Sequence, residues 1–156
     1  MRDDSYISRL RGQAVFLSTI LREGDPAALT ARPQSTAWSC VEIVAHLGRY
    51  NELLVERLHR IATEASPRLA RYRAEEDPRW AEWSGLSIDE AIRGYRRSRS
   101  LLMKSVRTLT PAQRRRYGIH PLLGRLTVDQ WLNFFLVHEG HHIYRLLLQM
   151  HIRPDG

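Results

Sequence analysis

The chain has 156 residues, 43% of them apolar and 26% charged, the balance expected of one soluble globular domain spanning 1–156. Its one cysteine, Cys40, excludes an internal disulfide, and no stretch approaches the roughly 18–20 uninterrupted apolar residues of a membrane span. The net charge is +7, carried by arginines with Lys104 the one lysine, which admits an anionic partner such as nucleic acid or a small acidic ligand without choosing among them.

The opening run MRDDSYISRLRGQ is charged from residue 2 and has no apolar targeting core. The expectation is a cytoplasmic protein with no membrane contact. The first predicted helix covers roughly 4–22, with Ile7, Leu10, Ala14, Leu17 and Leu21 at helical spacing. The second covers roughly 40–63. Ser39 and Glu42 form a capping box at its start, each side chain answering an orphan backbone N–H. Ile43, Leu47, Tyr50, Leu54 and Ile61 supply its apolar stripe. After it comes EASPRLARYRAEEDPRWAEWSGL, with Trp80 and Trp83 set among charges. A connection of that length is expected to be functional or mobile.

The third helix is predicted over 88–108, with a second capping box in Ser87 and Glu90. Ile88, Ile92, Tyr95, Leu102, Val106 and Leu109 form its stripe, which Arg99 interrupts. Its opposite face carries Arg93, Arg97, Lys104 and Arg107, followed by Arg114, Arg115 and Arg116. The fourth helix is predicted over 128–150, behind a third box in Thr127 and Gln130. Strand signals are almost absent: there is no β-branched alternation and no Asn-Gly or Asp-Gly turn. Four helices with long connections predict an all-α four-helix bundle in which at least one connection crosses over.

The stretch VHEGHHIYRLLLQ holds three of the seven histidines. His138 and His142 are four apart, so they share a helix face and can share one metal ion. Trp131, Phe135, His138, His142 and Leu146 follow one line, which turns the pair toward the bundle interior. A third ligand must come from another helix, and His46 is the best placed. Three histidines with an open position are the pattern of a catalytic divalent metal. A fourth protein ligand, His141 or Glu42, would close that position. His59, His120 and His151 read as helix surface, loop and tail; Trp38 and Trp131 read as core. The run His138-Glu139-Gly140-His141-His142 also satisfies H-E-x-x-H, where the glutamate is general base of a metalloprotease. The downstream glycine and histidine of metzincins are missing, no glutamate follows Glu139, and too little chain remains for a second lobe.

HPLLGRLTVDQWLNFFLVHEGHHIYRLLLQ resembles the C-terminal signature of the DinB/YfiT-like superfamily: a His-Pro-x-hydrophobic-Gly loop, a helix bearing tryptophan, and H-x-x-H-H. WSCVEIVAHLGRYN resembles its other signature, a Trp-Ser helix start with a histidine eight residues after the tryptophan, here Trp38 and His46. The resemblance implies a four-helix bundle in up-down-down-up order and a divalent metal held by His46, His138 and His142. Zinc or nickel comes first, with iron or manganese as alternatives. It also implies a homodimer. Related branches are thiol S-transferases using bacillithiol or mycothiol, and a mycothiol-dependent maleylpyruvate isomerase; others are induced by DNA damage and have no known activity. The expected chemistry is therefore metal activation of a low-molecular-weight thiol cosubstrate toward an electrophile. Arg99 is expected either to anchor that thiol's polar groups or to snorkel to water. Glu139 is expected to orient a metal ligand or to sit exposed on its helix. The alternatives are a metal-binding bundle without catalysis, associated with DNA damage or stress, and a nucleic-acid-binding protein that uses the basic third helix.

Overall fold

The computed structural model describes residues 2–151, with side chains from residue 5 onward. In chain order its elements are α1 (Arg2–Glu23), α2 (Pro26–Thr30) and α3 (Cys40–Thr63), a 3-10 turn at Ala74–Glu76, then α4 (Ala81–Ser84), α5 (Ile88–Thr108), α6 (Pro111–Arg115), β1 (Tyr117–His120), β2 (Gly124–Thr127) and α7 (Val128–His151). The four long helices α1, α3, α5 and α7 form the bundle. Among the described residues, no helix is long and apolar enough to cross a membrane.

Local chemistry sets the helix starts. The Ser39–Glu42 and Ser87–Glu90 boxes are both closed, side chain to backbone in each direction. Thr127 and Gln130 make the same reciprocal pair ahead of α7. Thr110 and Gln113 add a fourth box, which starts the short α6.

Two apolar clusters divide the core lengthwise. One gathers Leu17, Ile20 and Leu21 from the end of α1, Cys40 to Leu47 from the start of α3, Ala91 and Tyr95 from the start of α5, and Ile143 and Leu146 from the end of α7. The other gathers Ile7 and Leu10, Leu54 to Ile61, Leu102 and Val106, and Val128 to Leu136. Thus α1 and α7 run one way and α3 and α5 the other, the up-down-down-up order. Two parallel neighbours, α3 and α5, require the long connection between them. These two helices pack most extensively, and Trp83 is wedged at their contact. A Cβ on Gly48 would lie 2.3 Å from its ring, and one on Gly94 2.8 Å. Only glycine leaves room there.

The run after α6, which carries almost no strand signal in the sequence, forms a small antiparallel hairpin, with Tyr117 opposite Thr127 and His120 opposite Gly124. Each strand is four residues long, too short to show alternation. The turn is Pro121-Leu122-Leu123, after which Gly124 adopts φ +72°, a three-residue hairpin that needs no Asn-Gly. The α3–α5 connection completes it: Leu69 N–H donates to the Ile119 carbonyl (3.0 Å), and Ile119 N–H to that of Pro67 (2.8 Å). His120, expected in a loop, ends β1 and is buried. Its Nδ1 accepts from the backbone N–H of Leu122 and Leu123, each at 3.1 Å, and its ring packs on Trp131 and Phe134. It holds the turn against the start of α7.

Candidate metal centre

His46 projects from the first half of α3, and His138 and His142 from the middle of α7. The helical spacing of the last two stacks them one turn apart. Their ring centroids are 4.6 Å apart; His46 lies 4.5 Å from His142 and 5.5 Å from His138. One nitrogen from each ring falls within 4.8 Å of the others. The Nε2 atoms of His138 and His142 are 3.2 Å apart. Tetrahedral coordination with metal–nitrogen bonds near 2.0–2.1 Å separates ligand nitrogens by about 3.3–3.4 Å, so this pair already has the edge length of such a site.

The rings have the right protonation for metal ligands. Burial pushes His46 down to about 2, with His142 and His138 adding to it. Burial likewise pushes His138 down to about 4, aided by His141 and Arg57. His142 falls to about 3 through burial, His138, His141 and Arg145. All three are neutral imidazoles with a lone pair to give. Both ring nitrogens of His46 and the Nδ1 of His138 are buried without a protein hydrogen-bond partner. Orphaned buried nitrogens are costly, and coordination of a cation by one nitrogen of each ring relieves that cost. The donor set therefore fits a divalent metal with imidazole preference, zinc or nickel among them.

Aromatic rings wall the cluster. Tyr50, one turn beyond His46 on α3, lies 4.3 Å from His138. Tyr72 stacks on His46 at 5.7 Å. Trp38 lies 4.8 Å from His46 and Trp80 6.4 Å. Trp38, expected as core, is thus half-buried wall, whereas Trp131 is core. Tyr72 and Trp80 come from the α3–α5 connection, which is packed over the site. Tyr72 Oη donates to Asp77 at 3.1 Å, and Arg49 Nε holds Asp77 at 2.7 Å. Arg57 donates to Tyr50 Oη (3.3 Å) and to the Ala70 carbonyl (2.7 Å). Sequence reasoning passed over Tyr72. The available signal was the density of aromatic residues in a charged connection. A cavity of about 180 Å³ opens beside His142, lined by Thr36, Trp38, Ile43, Glu75 and Arg145 among others.

Two other expectations, for Arg99 and Glu139, are corrected by position, and the two open candidates for a fourth ligand, Glu42 and His141, lie elsewhere. Arg99 neither snorkels nor faces the histidines: it is 2% exposed and ion-paired with Glu139 in the core. Its guanidinium also donates to the Leu10 carbonyl (3.3 Å) and Tyr95 Oη (2.9 Å). Glu139, 0% exposed, accepts from Tyr95 Oη at 2.8 Å. Among the described residues no hydrogen bond joins it to a histidine, so it neither orients a ligand nor sits on the surface. Glu42 is occupied in its capping box and by Arg32. His141 is exposed, its ring 5.5 Å from that of His142 and outside the ligand cluster.

The bundle has counterparts elsewhere. Among solved structures, the chain is similar to YfiT from Bacillus subtilis, described as a probable metal-dependent hydrolase with an unusual four-helix bundle topology. Identity is 20% over 94% of this chain and 85% of that one, with a TM-score of 0.74. It is also similar to TT2238, described as a four-helix bundle protein, with 26% identity over 94% and 98% of the two chains and a TM-score of 0.70. No curated protein matches. The profile of the DinB superfamily matches residues 11–145, which include all three histidines, the whole of α3 and most of α7, and the chain belongs to that superfamily.

Proposed function

We propose that His46, His138 and His142 hold one divalent metal ion and that the protein is a metal-dependent enzyme acting on a low-molecular-weight thiol, an S-transferase of the bacillithiol or mycothiol type. The observation that carries this reading is the convergence of three neutral imidazoles, His46 buried and His138 and His142 half-buried, with no fourth ligand among the described residues. A divalent cation so held supplies a Lewis-acidic open position that lowers the pKa of a thiol bound to it.

The chain's own residues do the rest. Trp38, Tyr50, Tyr72 and Trp80 exclude bulk water from the three rings. The cavity beside His142 admits the thiol. In the transfer, sulfur forms a bond to an electrophilic carbon, the leaving group departs with its electron pair, and the thiol proton passes to solvent. A divalent cation held by His46, His138 and His142 would lower the thiol pKa, and no protein base would then be needed. That suits this site, where the one glutamate of H-E-x-x-H is locked to Arg99 in the core.

Metal-dependent hydrolysis is the second reading, supported by the likeness to YfiT. A bound cation would acidify water as it would a thiol, but Glu139, the general base of H-E-x-x-H hydrolases, is locked to Arg99 and unavailable to it. Nucleic-acid binding has less support. Arg114 is held by Asp129 and the Val106 carbonyl, and Arg116 by the carbonyls of Ile61 and Glu64. Two arginines of that basic run fasten the fold.

The test is thioether formation between bacillithiol, mycothiol or cysteine and a fluorogenic haloalkyl electrophile. The metal-reconstituted protein should form product with at least one thiol, and EDTA or His142→Ala should abolish the excess over background. Equal rates with and without metal would overturn the thiol reading.

A further inference from the structure

Arg57 is a buried cation without an anion. It is 7% exposed, and no carboxylate pairs with it among the described residues. Arginine is seldom buried unless paired, because an uncompensated interior charge is costly. Its Nη1 donates to Tyr50 Oη at 3.3 Å and its Nη2 to the Ala70 carbonyl at 2.7 Å. The ring centroids of Tyr50 and Trp131 lie 5.8 and 5.4 Å from its Cζ. All of these partners are neutral. The guanidinium has further N–H donors beyond those two bonds, and its charge is left unbalanced.

Arg57 lines a cavity of about 340 Å³ between α3 and the α3–α5 connection. Leu53 from α3, and Leu69, Ala70 and Tyr72 from the connection, give that cavity an apolar wall. Its acids are already taken. Asp77 is held by Arg49 at 2.7 Å, Glu56 by Arg49 at 3.3 Å and Glu76 by Arg73 at 3.5 Å. None is left to neutralise Arg57. Small-molecule sites run to about 300–1,000 Å³, so the space holds a small ligand. A cationic ligand would meet Arg57, and a neutral one would leave its charge unmatched. An oxyanion pairs with a guanidinium through charge-assisted hydrogen bonds, about twice as strong as neutral ones.

We infer that this cavity is a binding site for a small organic acid, a carboxylate or phosphate head on a short carbon skeleton, with Arg57 as its anchor. The head lies against Arg57 and the skeleton against Leu53, Leu69 and Tyr72. The ligand bridges α3 and the connection, and so fastens the segment that covers the three histidines. Tyr72 belongs to both places, lining this cavity and stacking on His46. The site is separate from the one that would take the thiol, and neither reading depends on the other.

The test titrates the purified protein with butyrate, butyl phosphate and, as the uncharged counterpart, butyramide. Calorimetry reads affinity, and the Nε–Hε resonance of Arg57 reads contact. At least one of the two acids should bind about tenfold or more tighter than butyramide, the scale of one hydrogen bond to a charged group, and should move the Arg57 resonance. The head that binds tighter identifies the ligand class. Arg57→Met should erase the margin, while Arg71→Met, at the exposed rim of the cavity, should leave most of it. The wild-type resonance decides the outcome if Arg57→Met fails to fold. No margin over butyramide, an Arg57 resonance that stays in place, or a margin that survives Arg57→Met would overturn the assignment.

Discussion

At the residue scale, the three histidines and the Arg99–Glu139 pair make different demands on pH and on mutation. The histidines are held well below their ordinary value, to about 2, 4 and 3. The unfolded chain takes up protons near pH 6.5, while the folded chain resists until far lower. Their contribution to stability is therefore complete above about pH 6.5 and is lost as pH falls toward 4 and below. Bound metal competes with the same protons. Acid titration should release metal in that window, ahead of loss of helical circular dichroism. Simultaneous loss of both signals would mean that the metal and the fold are not separable in this way.

Arg99 and Glu139 are both buried, so removing one partner strands the other. Burial raises the Glu139 carboxyl, against the pull of Arg99 and Tyr95. Glu139→Leu or Arg99→Met alone should cost about 3–5 kcal/mol, while the double variant should recover much of that loss. Urea unfolding of the three proteins checks it. The His138–His142 pair is legible in the sequence because spacing and an apolar line are local facts. The role of Arg99 is not. Its partner lies 40 residues away and comes beside it only when α5 and α7 face each other across the core of the assembled bundle. The sequence shows an arginine on an apolar stripe and cannot show that a glutamate faces it.

At the element scale, the packing of α3 on α5 depends on Trp83 sitting over two glycines. Gly48→Ala places a methyl against its ring and should destabilise by about 1–3 kcal/mol through overpacking. On α1, a Cβ added at Gly12 would meet nothing within 4 Å; Gly12→Ala should instead stabilise by about 0.5–1 kcal/mol through helix propensity. Thermal unfolding of the two variants should move in opposite directions. The helices α3, α5 and α7 are readable because each start carries its own capping chemistry within four residues. The hairpin is hidden because its strands are short and its turn depends on one glycine at positive φ. The wedge is hidden for another reason. Gly48, Trp83 and Gly94 are separate in sequence, and nothing local relates them.

At the scale of the whole molecule, the site joins α3 to α7, and the α3–α5 connection covers it. The long connections indicate a crossover, but which helices run parallel emerges from the two core clusters. A metal at this junction ties together elements that lie far apart in the chain. It should stabilise the fold by mass action, about 2.7 kcal/mol at free metal one hundred times Kd. The melting temperature should rise with added zinc or nickel in the wild type and stay fixed in His46→Ala.

Metal content tests the central claim most directly. Purified protein and the His138→Ala, His142→Ala double variant should be reconstituted with divalent ions, desalted and measured by plasma mass spectrometry. Close to one zinc or nickel ion per chain in the wild type, lost from a folded double variant, is the predicted result. No retained metal in the wild type, or equal metal in both, would contradict a metal centre built from His46, His138 and His142.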